Sequence, residues 1–155
     1  METSQEGLLE FLHQKATFDI PIYQRRYSWK TQQCERIFKD IVKVGNKPSQ
    51  FHFFGSIVAI KPSGTLGTSI KHLEIIDGQQ RLTTITLLLY ALSKIVPTRT
   101  NVTRTNAPAI LDYLFNEHAN KQEDKQKLRL TYGDKETLDL LLNTDTLPKD
   151  PAKNI

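Results

Sequence analysis

The sequence predicts an α+β domain, and three observations carry that prediction. The chain has 155 residues, 38% hydrophobic and 25% charged, a balance that buries one core and excludes a disordered or low-complexity chain. Four segments, 17–20, 51–60, 72–76 and 128–131, read as strands, the second of them rich in β-branched and aromatic residues. Between them lie stretches whose apolar residues recur at helical spacing, at 4–15, 31–45, 82–95, 107–119 and 134–142.

Leu8, Phe11 and Leu12 mark the first helix as short and amphipathic. Residues 17–20 are β-prone. Pro21 then keeps Ile20 extended, so residues 21–30 read as an ordered extended loop. Thr31 supplies an N-cap for the second helix, whose apolar stripe is Cys34, Ile37, Phe38, Ile41 and Val42. Gly45 and the polar run 46–50 end it. In residues 51–60 both alternating sets are apolar (Phe54, Val58 and Ile60; Phe53, Ile57 and Ala59), the pattern of a central strand covered on both faces. Gly64 and Gly67 mark a turn to the returning strand 72–76.

Asp77-Gly78 is a turn signal, and the helix 82–95 behind it is apolar nearly all round, hence buried. Pro97 ends that helix. The near-tandem pair Thr98-Arg-Thr-Asn101 and Thr103-Arg-Thr-Asn106 is too short for a solenoid repeat and reads as a polar basic loop. Residues 107–119 read as a helix through Ile110, Leu111 and Leu114, and 120–127 as a charged connector. After the strand 128–131, Asp134 caps a last helix to Leu142, and residues 148–155 read as a linker or frayed tail.

Charge is unevenly spread. The net charge is +4, yet residues 20–111 hold thirteen bases against four acids (Glu35, Asp40, Glu74 and Asp77), a net of +9. Residues 1–19 and 112–155 are net acidic. A basic centre suits an anionic partner. The single cysteine, Cys34, excludes an internal disulfide and a cysteine-only metal site, and its place on an apolar stripe suggests an inert thiol. The start, METSQEGLLEFLHQK, carries acids where a signal peptide carries bases. No apolar run approaches the roughly 20 residues of a membrane span. The expectation is a soluble cytoplasmic protein, with no membrane partner.

Several chemistries lack their residues. There is no GxxxxGK[ST] and no GxGxxG. His13, His52, His72 and His118 show no metal-ligand spacing, and no Ser–His–Asp triad has positional support. Asn101-Val-Thr103 matches a glycosylation sequon, an accidental match in a chain without a secretion signal.

Two segments do carry chemistry. Ile20-Pro-Ile-Tyr-Gln-Arg-Arg-Tyr-Ser-Trp29 packs Tyr23, Tyr27 and Trp29 beside Gln24, Arg25 and Arg26. Aromatic faces stack on bases, and guanidinium groups hold phosphate through paired hydrogen bonds. The bland alternative is that Tyr27 and Trp29 staple the loop to the next helix while the arginines pair with acids. Leu73-Glu-Ile-Ile-Asp-Gly-Gln-Gln-Arg-Leu-Thr-Thr84 reads as strand, tight turn and helix start. Free N–H groups at a helix start attract anions, Gly78 admits close approach, and Arg81 adds a planar fork of donors. Gln79 and Gln80 add neutral donors and acceptors. Asp77 is placed to hold Mg²⁺ or orient a water, and Thr83 and Thr84 to cap the helix or touch phosphate. The alternative is a turn Asp and a solvated Arg.

Taken in order, Ile20-Pro-x-Tyr-Gln-Arg-x-Tyr-x-Trp29, Phe54-Gly-Ser-Ile57 and Ile75-Ile-Asp-Gly-Gln-Gln-Arg-Leu-Thr-Thr84 resemble the N-terminal domain of GmrSD-type proteins, prokaryotic modification-dependent (type IV) restriction and phage-defence proteins. The resemblance covers roughly residues 5–95. It implies a ParB/sulfiredoxin-like small mixed sheet packed by helices. One domain would then span 1–147, with its core at about 5–95 and a helical extension at about 96–147. It implies nucleoside triphosphate binding and hydrolysis with Mg²⁺, and sensing of modified DNA. On this resemblance Asp77, Gln80 and Arg81 are catalytic, with Asp77 also the metal ligand. Gly78, Gln79, Gln80, Arg81, Thr83 and Thr84 bind nucleotide. Tyr23, Gln24 and Arg25 form either the second wall of that pocket or, with Arg26, Arg99 and Arg104, the contact to DNA.

Family members commonly continue into a domain with an HNH-type nuclease motif. No such motif follows residue 95, and His118 has no partner histidine downstream. The expectation is an N-terminal fragment or separate subunit that works with a nuclease domain or subunit. A DNA-binding module without turnover, a ParB-like nuclease acting directly, and a structural interaction domain are the other readings.

Overall fold

The computed structural model describes residues 6–47, 53–62, 69–95, 110–131 and 133–144. The architecture is α+β, as predicted. Strands β1 (Ala16–Asp19), β2 (Val58–Ile60), β3 (Lys71–Asp77) and β4 (Leu128–Arg129) form one mixed sheet in the order β2-β3-β1-β4. Helices α1 (Leu8–His13), α2 (Thr31–Gly45), α3 (Gln79–Ile95) and α4 (Gly133–Thr144) complete it. β1 runs parallel to β3, with Ala16 opposite Lys71 and Asp19 opposite Glu74, and parallel to β4, with Phe18 opposite Leu128. β2 is antiparallel to β3, with a register irregularity between Val58 and Ala59.

β1 is short but central, and Ala16, Thr17 and Phe18 are fully buried. Phe18 stacks on Phe11 of α1, with ring centroids 4.8 Å apart. In β3 the alternation of Leu73 and Ile75 against His72, Glu74 and Ile76 puts the first pair into the core. Leu82 and Ile85 of α3, Leu128 of β4, and Leu138 and Leu142 of α4 join the same cluster. Residues 110–144 therefore share the core with the first half of the chain.

The other face of the sheet is polar and paired. Arg129 makes a two-point hydrogen-bonded ion pair with Asp19, which raises its pKa further. Thr17 Oγ1 lies 3.0 Å from His72 Nδ1. Lys127 is only 3% exposed, and its ammonium donates to the carbonyls of Leu12 (2.8 Å) and Gln14 (2.9 Å) at the end of α1.

Burial lowers the Lys127 pKa from the ordinary lysine value to about 8. Between pH 8 and the unfolded lysine value, the unfolded chain binds the extra proton, so stability from this group rises with pH across that window. Below pH 8 both states are protonated and the penalty is constant. The unfolding free energy of the wild type should gain on the order of 2 kcal/mol more than that of Lys127→Met between pH 7.5 and 10. Urea denaturation at the two pH values, with the variants compared, measures the difference.

Four sequence expectations are corrected. The described part of 51–60, residues 53–60, is not a central strand. β2 is a three-residue edge strand, Phe53 is 82% exposed, and Gly55 at φ +92° turns the chain away from the sheet. Of the expected helix 107–119, residues 110–119 are described, and among them only Ile110–Tyr113 forms a helical turn, of the 3-10 type. Beyond it, Phe115 bridges to Gln126, and the buried Asn116 amide donates to the carbonyls of Ala16 and Asp124. Thr31 opens α2 rather than capping it; Lys30 is the N-cap, its N–H held by Gln33 Oε1. The stripe of α2 is mostly open, with Ile37 buried but Phe38 and Val42 exposed. Among the described residues no helix is long and apolar enough to cross a membrane.

Candidate nucleotide site

The site forms where β3 ends and α3 begins. Gly78 makes the turn at φ +90°, and a Cβ there would stand 3.0 Å from Ile57 Cγ1 and Ser56 O. Hydrogen bonding within α3 starts with Leu82 N–H to Gly78 O, at 3.0 Å. The N–H groups of Gln79, Gln80 and Arg81 are thus left at the positive end of a 17-residue helix. Asp77 is exposed beside them, and no described side chain pairs with its carboxylate.

The two glutamines, nearly buried, hold the loop of the first motif. Gln80 Nε2 donates to Arg26 O (3.0 Å) and its Oε1 accepts from Ser28 N–H (2.8 Å), so both ends of its amide grip the loop. Gln79 Nε2 donates to Arg25 O (3.1 Å), while its Oε1 is buried with no hydrogen-bond partner. Gln24 Nε2 donates to Ile76 O (3.0 Å), and Asp134 of α4 accepts from Tyr27 N–H (2.9 Å). Deeper in, Thr84 Oγ1 donates to Gln80 O (2.8 Å). Its one proton is then committed, so the Tyr27 hydroxyl, 2.9 Å away, donates to Thr84, and the Cys34 thiol at 3.3 Å donates to Tyr27. Burial raises the Tyr27 pKa.

The result is a cleft of about 350 Å³ lined by Gln24, Arg25, Trp29 and residues 77–81. It holds two guanidinium groups against one carboxylate, which favours an anion. Of the residues singled out from sequence, the structure brings Gln24, Arg25, Asp77, Gly78, Gln79, Gln80 and Arg81 together here. Tyr23 stands apart, its hydroxyl donating to Glu74 Oε1 at 2.6 Å, a bond that raises its pKa. Thr83 and Thr84 sit a turn into α3. Thr83 lines a narrow crevice behind the loop, with Arg26, and Thr84 faces Tyr27. Arg99 and Arg104 lie outside the described residues.

One residue of the cleft and two behind Arg81 carry no separate role in the sequence. Trp29 stood between stacking and stapling, and it lines the cleft. Gly55 and Ser56 lie against Arg81, whose Nη1 donates to Ser56 O at 2.6 Å. Their signal was the glycine of Phe54-Gly-Ser-Ile57, a glycine inside an apolar strand pattern.

Among the described residues no group of three or more His, Cys, Asp or Glu is arranged to hold a metal ion. Asp77 alone offers an open carboxylate. That donor set does not make a protein cage, but it fits Mg²⁺, which is commonly held by one or two carboxylates together with phosphate oxygens.

The family model described as GmrSD restriction endonuclease, N-terminal domain, matches residues 7–155. No curated protein matches the chain.

Proposed function

The chain belongs to the family of GmrSD restriction endonuclease N-terminal domains, and on that premise we propose that it is the nucleotide-binding, nucleotide-hydrolysing regulatory domain of a DNA restriction and defence system. The observation that carries this reading is the convergence of an open helix start, two guanidinium groups and one exposed carboxylate in a single cleft. An anion is held there by charge, by backbone N–H groups and by a planar fork at once.

In this reading the phosphates of a nucleoside triphosphate lie in the cleft over the N–H groups at the start of α3. Arg81 and Arg25 face the phosphate oxygens, and Trp29 offers an aromatic face to the base. Asp77 would hold Mg²⁺, which when bound neutralises phosphate charge. A water attacks the terminal phosphorus, the bond to the bridging oxygen breaks, and nucleoside diphosphate and phosphate leave. Arg81 meets the charge that builds on the transferring group. Gln79 and Gln80 position the loop that carries Arg25.

The same reading places the protein in the prokaryotic cytoplasm, with DNA, including modified DNA, as its second partner and a separate nuclease domain or subunit doing the cutting. The ParB-like name for the fold belongs to this proposal too. Exposed Arg26 and the row Arg36, Lys39 and Lys43 on α2 favour contact with phosphate backbones. DNA binding should then weaken steeply with salt.

The experiment is phosphate release from each of four nucleoside triphosphates with Mg²⁺, with and without plain and modified DNA. The account expects turnover, a change in rate on adding DNA, and loss of turnover in Asp77→Ala. DNA binding with no phosphate release from any nucleotide would favour instead the binding module without turnover.

A further inference from the structure

We propose that the backbone of Gly55 and Ser56 is the positioning wall for Arg81, fixing where its guanidinium meets a phosphate; the role of that phosphate rests on the nucleotide reading above. The segment is anchored at both ends, because Phe54 and Ile57 pack against the hydrophobic core. Between them Gly55 adopts φ +92°, which carries Ser56 over the start of α3. The Ser56 carbonyl then accepts from Arg81 Nη1 at 2.6 Å. A side chain at Gly55 would have to push the Arg81 guanidinium aside. A Cβ there would stand 2.8 Å from Arg81 Cζ and closer still to Nη1.

The opposite side of the same segment is equally tight. A Cβ on Gly78 would meet Ser56 O at 3.0 Å and Ile57 Cα at 3.2 Å. The two glycines thus interlock, one under the helix-start turn and one against the guanidinium. Arg81 has a long side chain with several rotatable bonds, and such chains lose much of their freedom when they bind. The Ser56 carbonyl uses one N–H of Nη1 and restricts the rest of the fork before any ligand arrives, which is preorganisation in the ordinary sense. Gly55 and Ser56 touch no phosphate in this scheme; they act through Arg81.

The test is a double-mutant cycle on the full chain, with Gly55→Ala, Arg81→Ala and the double variant, read by melting temperature and by calorimetric titration of ATP with Mg²⁺. Gly55→Ala is expected to weaken ATP binding about tenfold or more in the wild-type background and not measurably in the Arg81→Ala background. Its fall in melting temperature is expected to shrink by about half once Arg81 is gone, the remainder coming from strain at φ +92°. If Gly55→Ala alone does not fold, recovery of folding in the double variant is the same positive result. Additive melting effects, or a double variant no better folded than the single, would overturn the positioning role. Coupled melting in a wild type that binds no ATP would uphold the contact and overturn the nucleotide reading.

Discussion

Arg81→Ala is expected to lower phosphate release from Mg²⁺-bound nucleoside triphosphate about 10³-fold. The guanidinium reaches the cleft beside a helix start whose N–H groups already point there, and its place is fixed by Ser56 O at 2.6 Å. A positioned arginine acts on charge that grows as the terminal phosphoryl group transfers, so its loss falls mainly on turnover. The expected barrier change is about 4 kcal/mol. The bond that Arg81 makes to Ser56 is exposed, so its removal should cost the fold little, on the order of 1 kcal/mol. Steady-state phosphate release and a melting curve on the same preparation separate the two effects.

Gln80→Leu is expected to be the most destabilising change in the site, by about 3 kcal/mol, and to abolish tight nucleotide binding with it. Gln80 is 6% exposed and grips Arg26 O and Ser28 N–H with opposite ends of one amide. Leucine has similar bulk but leaves both backbone groups without their partner. The loop that presents Arg25 and Trp29 then keeps its bonds to Gln24, Gln79, Asp134 and Thr84 but loses its two-ended grip. Gln79→Leu removes one bond and an acceptor that has no partner, so it should cost about 1 kcal/mol. Urea unfolding of the two variants gives the ordering, and equal losses would contradict the clamp assigned to Gln80.

The parts of the site legible in the sequence are those that depend on neighbours along the chain. Leu73 to Ile76 alternates as a strand, Asp77-Gly78 turns, and the apolar run after it is a helix; all three are local patterns, and all three form. What was not legible depends on groups far apart in sequence. Gln80 meets Arg26 and Ser28 across more than fifty residues, so nothing near Gln80 shows that its amide is engaged by backbone. Tyr23 is drawn to Glu74 for the same reason. The apolar alternation within 51–60 suggests a central strand. The positive φ of Gly55 takes the segment out of the sheet and lays it against Arg81 instead. At 110–119 the helical spacing of Ile110, Leu111 and Leu114 is real but loses to tertiary bonding. Asn116 N–H pairs with Lys125 O at 2.7 Å, and Lys127 N–H pairs with Leu114 O at 2.9 Å. Cys34 was placed correctly on α2 but is half-buried and bonded to Tyr27 rather than sunk in the core.

The cleft's charge also refines the early reading of a basic centre. Among the described residues the bases between 20 and 111 are spread over the loop, α2, Lys47, Lys61, Lys71 and Lys94, and in the cleft Arg25 and Arg81 stand around Asp77.

The measurement that bears most directly on the central claim is phosphate release by the wild type and Asp77→Ala side by side, at saturating nucleoside triphosphate and Mg²⁺, with both shown folded by melting. The account predicts multiple turnovers by the wild type and at least a hundredfold less from Asp77→Ala. Equal release by the two proteins, or none from the folded wild type with any of the four nucleotides, would contradict it.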